Sequence, residues 1–353
     1  MPNIAIIGTT TWGTTLGVVL THNKSEVRLW ARTEKEASEL RNGKINPTLL
    51  PPGITLPPQL SITSSLSESL DDVKAVILAV PSQTMRRNIK LVAEHLDKSM
   101  IIISAAKGLE IGSNKRMTQV IADEIEPGLQ SNICVLSGPN LYKEILRSLP
   151  AATVVASEKD TIARKVQKLF TSPDFCVYTN TDVVGVELGG AFKNIIALGA
   201  GIADGLEYGD NAKAAFMTRG LTEITALGVA LGANPLTFSG LAGLGDLITT
   251  CASPLSRNHY VGVELTKGRS VKEITDSMDS VAEGVGTTLA ARNLALQLGL
   301  EMPITEKMYQ VLYEDLDPHQ AAAELMEANV KHELSGRKWK LFSLFRHRSN
   351  PSP

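Results

Sequence analysis

Short apolar runs alternate with longer amphipathic stretches through the first half of the chain, and this alternation restricts the fold more than any other feature. Residues 3–7 and 26–31 are strand-like and flank a helical pattern over 12–23. Further apolar runs at 75–80, 100–104 and 133–136 each end at a turn signal. Strands apolar on both faces predict a parallel sheet covered by helices on either side. Residues 151–156 and 175–178 extend that sheet, with a connecting helix over 160–170. The predicted class is α/β, with a Rossmann-like doubly wound N-terminal domain.

Around residues 179–182 the pattern changes. From Val184 onward helical patterns dominate, with glycine-rich joints; 210–231, 289–298 and 319–334 carry helical periodicity with caps or breakers nearby. A length of 353 residues exceeds one typical core. We expect a dinucleotide-binding domain over 1–180, an all-helical substrate and catalytic domain over 181–334, and a basic tail over 335–353. The segment 49–60, with four prolines, is expected to be a surface loop.

A net charge of -2 gives no general attraction to nucleic acid. Cys134, Cys176 and Cys251 lack metal-ligand spacing, so no metal site is expected, and they suit a reducing, cytoplasmic setting. The first residues lack a basic n-region and read as a strand, not a signal peptide. No uninterrupted apolar stretch approaches the roughly 20 residues that span a bilayer. The tail combines Arg337, Lys338, Lys340, Arg346 and Arg348 with Trp339, Phe342 and Phe345. It reads as a solvated end, or as a segment making weak contact with an anionic membrane surface.

Gly8-Thr9-Thr10-Thr11-Trp12-Gly13 stands between the first strand and the first helix, where a dinucleotide fold places its phosphate loop. Gly8 and Gly13 hold the outer positions of G-x-G-x-x-G, but Thr10 takes the middle one, and its Cβ is expected to crowd a diphosphate. The helix N-terminus still offers free N–H groups to a phosphate. At the end of the second strand, where an NAD-preferring fold carries an acid, stand Arg32 and Thr33; a cation there suits NADP.

Isolated charges mark the chemistry. Within residues 188–203 the only charged side chain is Lys193, with no carboxylate three or four residues away. Burying an unpaired ammonium is costly, so this lysine needs a distant partner or a task, unless its tip reaches solvent. Lowered in pKa by burial, it could exchange a proton near neutrality, with Asn194 beside it to orient a substrate oxygen. Asp246 is the lone charge in residues 241–250 and the natural partner for Lys193 or for a substrate hydroxyl. Ser256, Arg257, Asn258 and His259 form a compact set of phosphate and hydroxyl donors. The loops carrying Lys107 and Ser137-Gly138-Pro139-Asn140 follow strands and should face the ligand cleft.

Taken in order, Gly8–Thr14, the A-K-G at Ala106, S-G-P at Ser137, G-G-A-F-K-N at Gly189, G-L-G-D-L at Gly243, S-R-N at Ser256, E-G at Glu283 and M-P-I-T-E at Met302 resemble the bacterial and plastid NAD(P)-dependent glycerol-3-phosphate dehydrogenases. The resemblance runs to about Leu334. It implies that Lys193 donates a proton to the substrate carbonyl, with Asp246 as catalytic partner. It also implies that Lys107, Gly138, Asn140, Asn194, Asp246, Ser256, Arg257 and Asn258 line the pocket of a small phosphate substrate. Gly8, Thr11, Trp12, Gly13, Arg32, Lys107, Tyr142, Arg257, Val281 and Glu283 fall at cofactor positions, for NADP or NAD. It further implies a homodimer that supplies glycerol 3-phosphate for phospholipid synthesis. Two departures stand out: Thr9, Thr10 and Thr11 replace the usual G-A-G-S-W-G residues, and Tyr142 replaces a small residue near the nicotinamide. Rival readings are a dehydrogenase of a β-hydroxy acid and a non-catalytic nucleotide sensor.

Overall fold

A computed structural model describes residues 3–43, 50–51, 53–278 and 280–327. Eight strands form one sheet: β1 (Asn3–Ile7), β2 (Glu26–Trp30), β3 (Leu60–Thr63), β4 (Ala75–Leu78), β5 (Ile101–Ser104), β6 (Ile133–Ser137), β7 (Ala151–Ala156) and β8 (Phe175–Asn180). Their spatial order is β3-β2-β1-β4-β5-β6-β7-β8. Strands β1 to β6 are mutually parallel, with Ile4, Ile6, Leu29, Ile77 and Ile103 packed to one side of the sheet and Ala5, Ile7, Val76, Leu78 and Ile102 to the other. Burial on both faces is the reason β1, β4, β5 and β6 read as continuous apolar runs.

Two features correct the expected sheet. β7 pairs antiparallel to β6, and β8 then pairs parallel to β7, so the last two strands run against the rest. Residues 138–150 leave and re-enter the sheet at the same end, which needs no crossover helix; Asp160–Phe170 supplies the crossover between β7 and β8. The second correction is β3. The expected loop over 49–60 ends in this edge strand, and Leu50 and Leu60 are buried. Four residues following a proline-rich approach carry too little periodicity to announce a strand.

The second half is helical. Val183–Gly205, 23 residues long, is buried almost all round and forms its centre. On length and composition this helix could cross a membrane, but Glu187 and Lys193 interrupt its apolar run and 89% of its apolar window is buried inside the protein. Its glycines let neighbours approach closely. A Cβ on Gly201 would lie 2.1 Å from the His259 carbonyl oxygen, and one on Gly262 would lie 2.0 Å from that of Leu198. The helix Arg257–Leu265 therefore crosses it backbone to backbone.

The predicted helices appear as Gly209–Ala230, Glu283–Leu298 and Pro318–Glu327. Glu283–Leu298 begins six residues before the predicted start, because its first turn carries Gly284 and Gly286 and reads as a joint. Residues 328–334 of the last predicted helix, and the tail over 335–353, lie outside the described residues.

Carboxylates from the helical half tie it to the sheet half. Glu187 accepts from the Thr118 backbone N–H at 2.8 Å, from its hydroxyl at 2.6 Å, and from Arg116. Glu283 accepts from the Ser82 N–H at 2.8 Å and from the Ser82 hydroxyl. Each caps the start of a helical turn on the sheet side, where free N–H groups favour an anion.

Candidate active site

The phosphate loop is held by its own backbone. Gly8 adopts φ +114°, and a Cβ there would lie 2.7 Å from the Ala79 carbonyl oxygen, so glycine is required on two counts. Thr10 has an extended backbone with φ -68° and N-caps the Thr11–His22 helix. Its hydroxyl accepts from Gly13 N–H at 3.0 Å and donates to the Ala79 carbonyl at 2.7 Å. The hydroxyl is thus folded in against β4, making two bonds that a glycine could not make. Among the described residues the N–H groups of Thr11 and Trp12 meet no acceptor, and the buried Trp12 indole N–H is also unpartnered. Two free backbone donors at a helix start fit the diphosphate of a dinucleotide.

A second group of side chains gathers where the two halves meet. Lys193, midway along Val183–Gly205, donates to Asp246 Oδ1 at 2.7 Å and to the Thr250 hydroxyl. Lys107, in the loop after β5, donates to Asp246 Oδ2 at 2.6 Å and to the Gly138 carbonyl at 2.8 Å. One carboxylate, only 1% exposed, therefore holds two ammonium groups. Burial pushes the Lys193 pKa down to about 8 and the Lys107 charge adds to this, while Asp246 opposes both. Asp246 opens the helix Asp246–Ala252 directly after a π-turn over Leu241–Gly245. The partner that Lys193 required lies 53 residues away in sequence.

Around this pair the predicted residues divide into free groups and structural ones. Asn258 is fully engaged: Oδ1 accepts from Gly284 N–H at 2.9 Å, and Nδ2 donates to Asn194 Oδ1 at 2.8 Å. Ser256 caps the Arg257–Leu265 helix by accepting from His259 N–H at 3.2 Å, and the His259 ring turns to Asp204. Asn140 donates to the Thr153 hydroxyl at 3.0 Å but leaves a buried Oδ1 unpartnered among the described residues. Ser137 likewise has a buried hydroxyl without a partner, facing Gly190 on the Lys193 helix.

Arg257 makes no hydrogen bond or ion pair among the described residues. It stays exposed to solvent although protein crowds part of it. That crowding lowers its pKa, and the charges of Glu283 and Tyr142 oppose the shift. Burial raises the Glu283 pKa against the Ser82 bonds and Arg257. A Cβ on Gly108 would touch both Ser82 and Glu283, so the Lys107 loop and Glu283 are contiguous, and Glu283 in turn lies within electrostatic reach of Arg257. Tyr142 packs beside Val18 and Leu146, Val281 is exposed just before Glu283, and Arg32 is exposed just after β2, without an ion pair among the described residues.

Thr250 and Ser82 escaped the sequence reading. Thr250 had a signal: four residues beyond Asp246, it shares a helix face with it. Ser82 had none, since only folding brings it to Glu283. A cavity of about 480 Å³ between β7, β8 and residues 234–242 is lined by Val154, Tyr178, Asn180, Leu236 and Leu241 among others, and holds none of the groups above.

The family models that match are the NAD-dependent glycerol-3-phosphate dehydrogenase N-terminus, over residues 3–163, and the corresponding C-terminus, over 182–323. A glycerol-3-phosphate dehydrogenase [NAD(P)+] from Dehalococcoides mccartyi is 61% identical, covering 99% of this chain and 97% of the relative. One from Moorella thermoacetica is 47% identical, covering 96% and 99%. Among solved structures, glycerol-3-phosphate dehydrogenase from Coxiella burnetii matches with a TM-score of 0.87 and 36% identity, covering 92% of this chain and 99% of that one. D-mandelate dehydrogenase shares the fold alone, at a TM-score of 0.56 and 13% identity.

Proposed function

This chain belongs to the NAD-dependent glycerol-3-phosphate dehydrogenase family, and from that premise we propose how its residues carry the reaction. The enzyme interconverts dihydroxyacetone phosphate and sn-glycerol 3-phosphate using NAD or NADP. Once bound, the nicotinamide supplies or takes up the hydride at substrate C2. Lys193 gives a proton to the carbonyl oxygen during reduction and takes it back during oxidation. The observation that carries this reading is the bridge Lys193–Asp246–Lys107, in which one buried carboxylate orients two cations. The cluster keeps an excess of positive charge, which favours a developing alkoxide in a site shielded from water.

Arg257 grips the substrate phosphate, for which its unpaired guanidinium suits a bidentate contact. Asn140 and Ser137, each with an idle buried oxygen, face substrate hydroxyls or the water that stands in for them. Asn258 and Asn194 act as positioning residues that lock Lys193's helix to the start of Glu283–Leu298. The N–H groups of Thr11 and Trp12 hold the cofactor diphosphate between Gly8 and Gly13, and Arg32, Tyr142, Val281 and Glu283 line its remaining length. We assign the dinucleotide-binding unit to 1–180, the helical unit to 181–334 and a separate basic tail to 335–353. A cytoplasmic homodimer supplying glycerol 3-phosphate for glycerophospholipid synthesis completes the reading.

The test is consumption of NADPH and of NADH with dihydroxyacetone phosphate, for wild type and Lys193→Ala, beside cofactor binding by fluorescence. We expect wild-type turnover and a variant that binds cofactor but scarcely turns over. A variant with near-normal turnover would refute the role of Lys193.

A further inference from the structure

β2 ends without the acid that usually receives the adenosine ribose, yet a carboxylate reaches the same ground from elsewhere. Glu36 is the third residue of the helix Glu34–Arg41, whose N-cap Thr33 accepts from Glu36 N–H at 3.2 Å. In a capping box the glutamate turns back to the N-cap N–H. Here Glu36 Oε2 overshoots by one residue and accepts from Arg32 N–H at 3.1 Å, while Oε1 accepts from the Thr9 hydroxyl. Glu36 therefore bridges the end of β2 to the phosphate loop after β1. In a dinucleotide fold those two segments flank the adenosine ribose.

Arg32 is exposed, and although its backbone N–H bonds Glu36 its guanidinium does not pair with this carboxylate. Glu34, the other acid of that first turn, is already engaged by Arg41 and Ser64. A negative and a positive group thus border one small area, and neither cancels the other by direct contact.

We propose that Glu36 is the ribose-reading carboxylate of this enzyme, accepting from the ribose hydroxyls of NADH and opposing the 2′-phosphate of NADPH. Arg32 acts against it by attracting that phosphate, so cofactor choice is a balance between the two side chains. The inference rests on the cofactor lying along the Gly8–Gly13 loop. Thr9 belongs to the same device: its hydroxyl fixes the carboxylate over the loop, giving a threonine at this position a task beyond filling a glycine-rich turn.

The experiment measures dissociation constants for NADH and NADPH by fluorescence titration of the whole chain, for wild type, Glu36→Gln and Arg32→Ala. Competition by 5′-AMP and by adenosine 2′,5′-bisphosphate is measured in parallel. Glutamine keeps an oxygen for the Thr9 or Arg32 bond but loses the charge. Glu36→Gln should shift the affinity ratio toward NADPH by about tenfold, the scale of one like-charge contact at partial exposure, and Arg32→Ala should shift it by a similar factor toward NADH. Adenosine 2′,5′-bisphosphate should gain as a competitor against Glu36→Gln while 5′-AMP does not. A ratio that moves less than about twofold in Glu36→Gln, or equal weakening of both cofactors, would reduce Glu36 to a helix cap and overturn the proposal. If Glu36→Gln fails to fold, Arg32→Ala decides alone, an unchanged ratio being the overturning result. Should neither adenosine nucleotide compete with the dinucleotide in wild type, the placement of the cofactor fails instead, which is a distinguishable outcome.

Discussion

At the head of the Thr11–His22 helix the ligand donors are backbone N–H groups, whereas around Lys193 every group that matters is a side chain. The loop has absorbed three threonines in a row without losing its geometry, because Gly8 supplies the turn and the free N–H groups of Thr11 and Trp12 exist whatever side chains they carry. Thr10 even reinforces the turn through its two hydrogen bonds. The Lys193 cluster has no such latitude. Asp246 holds both lysines through separate oxygens, so removing this carboxylate leaves two ammonium groups without their shared anion. A backbone-built site tolerates substitution and a charge-built site does not.

The largest effect that sharpens this contrast is Lys193→Ala, expected to lower kcat by about 10²–10⁴-fold while cofactor dissociation constants stay within about twofold. Next is Asp246→Asn. With two ammonium groups sharing one neutral amide, we expect a loss of about 3–5 kcal/mol in stability by denaturant unfolding, together with loss of turnover. A stable, active Asp246→Asn enzyme would break the comparison outright.

The pH dependence follows from Lys193, whose folded pKa falls to about 8 through burial. Reduction needs the protonated form, so its kcat should fall about tenfold per pH unit above that value. Oxidation needs the free amine and should rise through the same range. The sign for stability is the reverse of a lysine whose pKa a partner raises, because here burial outweighs the Asp246 pairing. Between about 8 and the unfolded lysine value of 10.5 the unfolded chain binds more protons, so this group makes stability increase with pH across that window. Parallel pH profiles in wild type and Lys193→Arg would remove Lys193 from the explanation.

The smallest expected effect is at the loop. Thr10→Ala removes an N-cap and should cost about 1 kcal/mol of stability, yet change cofactor affinity by less than about tenfold. The steric expectation for Thr10 makes its own demand: Thr10→Gly should lower the cofactor KM. An unchanged or higher KM would mean that the hydroxyl's two bonds outweigh any space gained.

Much of this molecule was legible in advance, for reasons that differ by region. Strands buried on both faces announce themselves as apolar runs, so β1 and β4 to β7 were readable. β2 and β8, which alternate buried with exposed residues, were readable from the shorter period of a half-covered strand. Lys193 and Asp246 stood out as lone charges in apolar surroundings, where burial without a partner is too costly to be accidental. The edge strand β3 was not readable, being four residues long behind a proline-rich approach. Nor was the reversal at β7, since an apolar run carries no sign of its direction.

The linear order of residues, by itself, determined which segments are buried, which turns need glycine, and that an isolated lysine must find a distant anion. It did so because propensity, periodicity and desolvation act locally or through composition. Only the tertiary structure decided that Asp246 serves two lysines, that Glu283 closes on Ser82 across 201 residues, and that Glu36 reaches Thr9 across 27 residues. These contacts depend on how whole elements pack, and a hydrogen bond formed over such separations leaves no periodic trace in the chain that makes it.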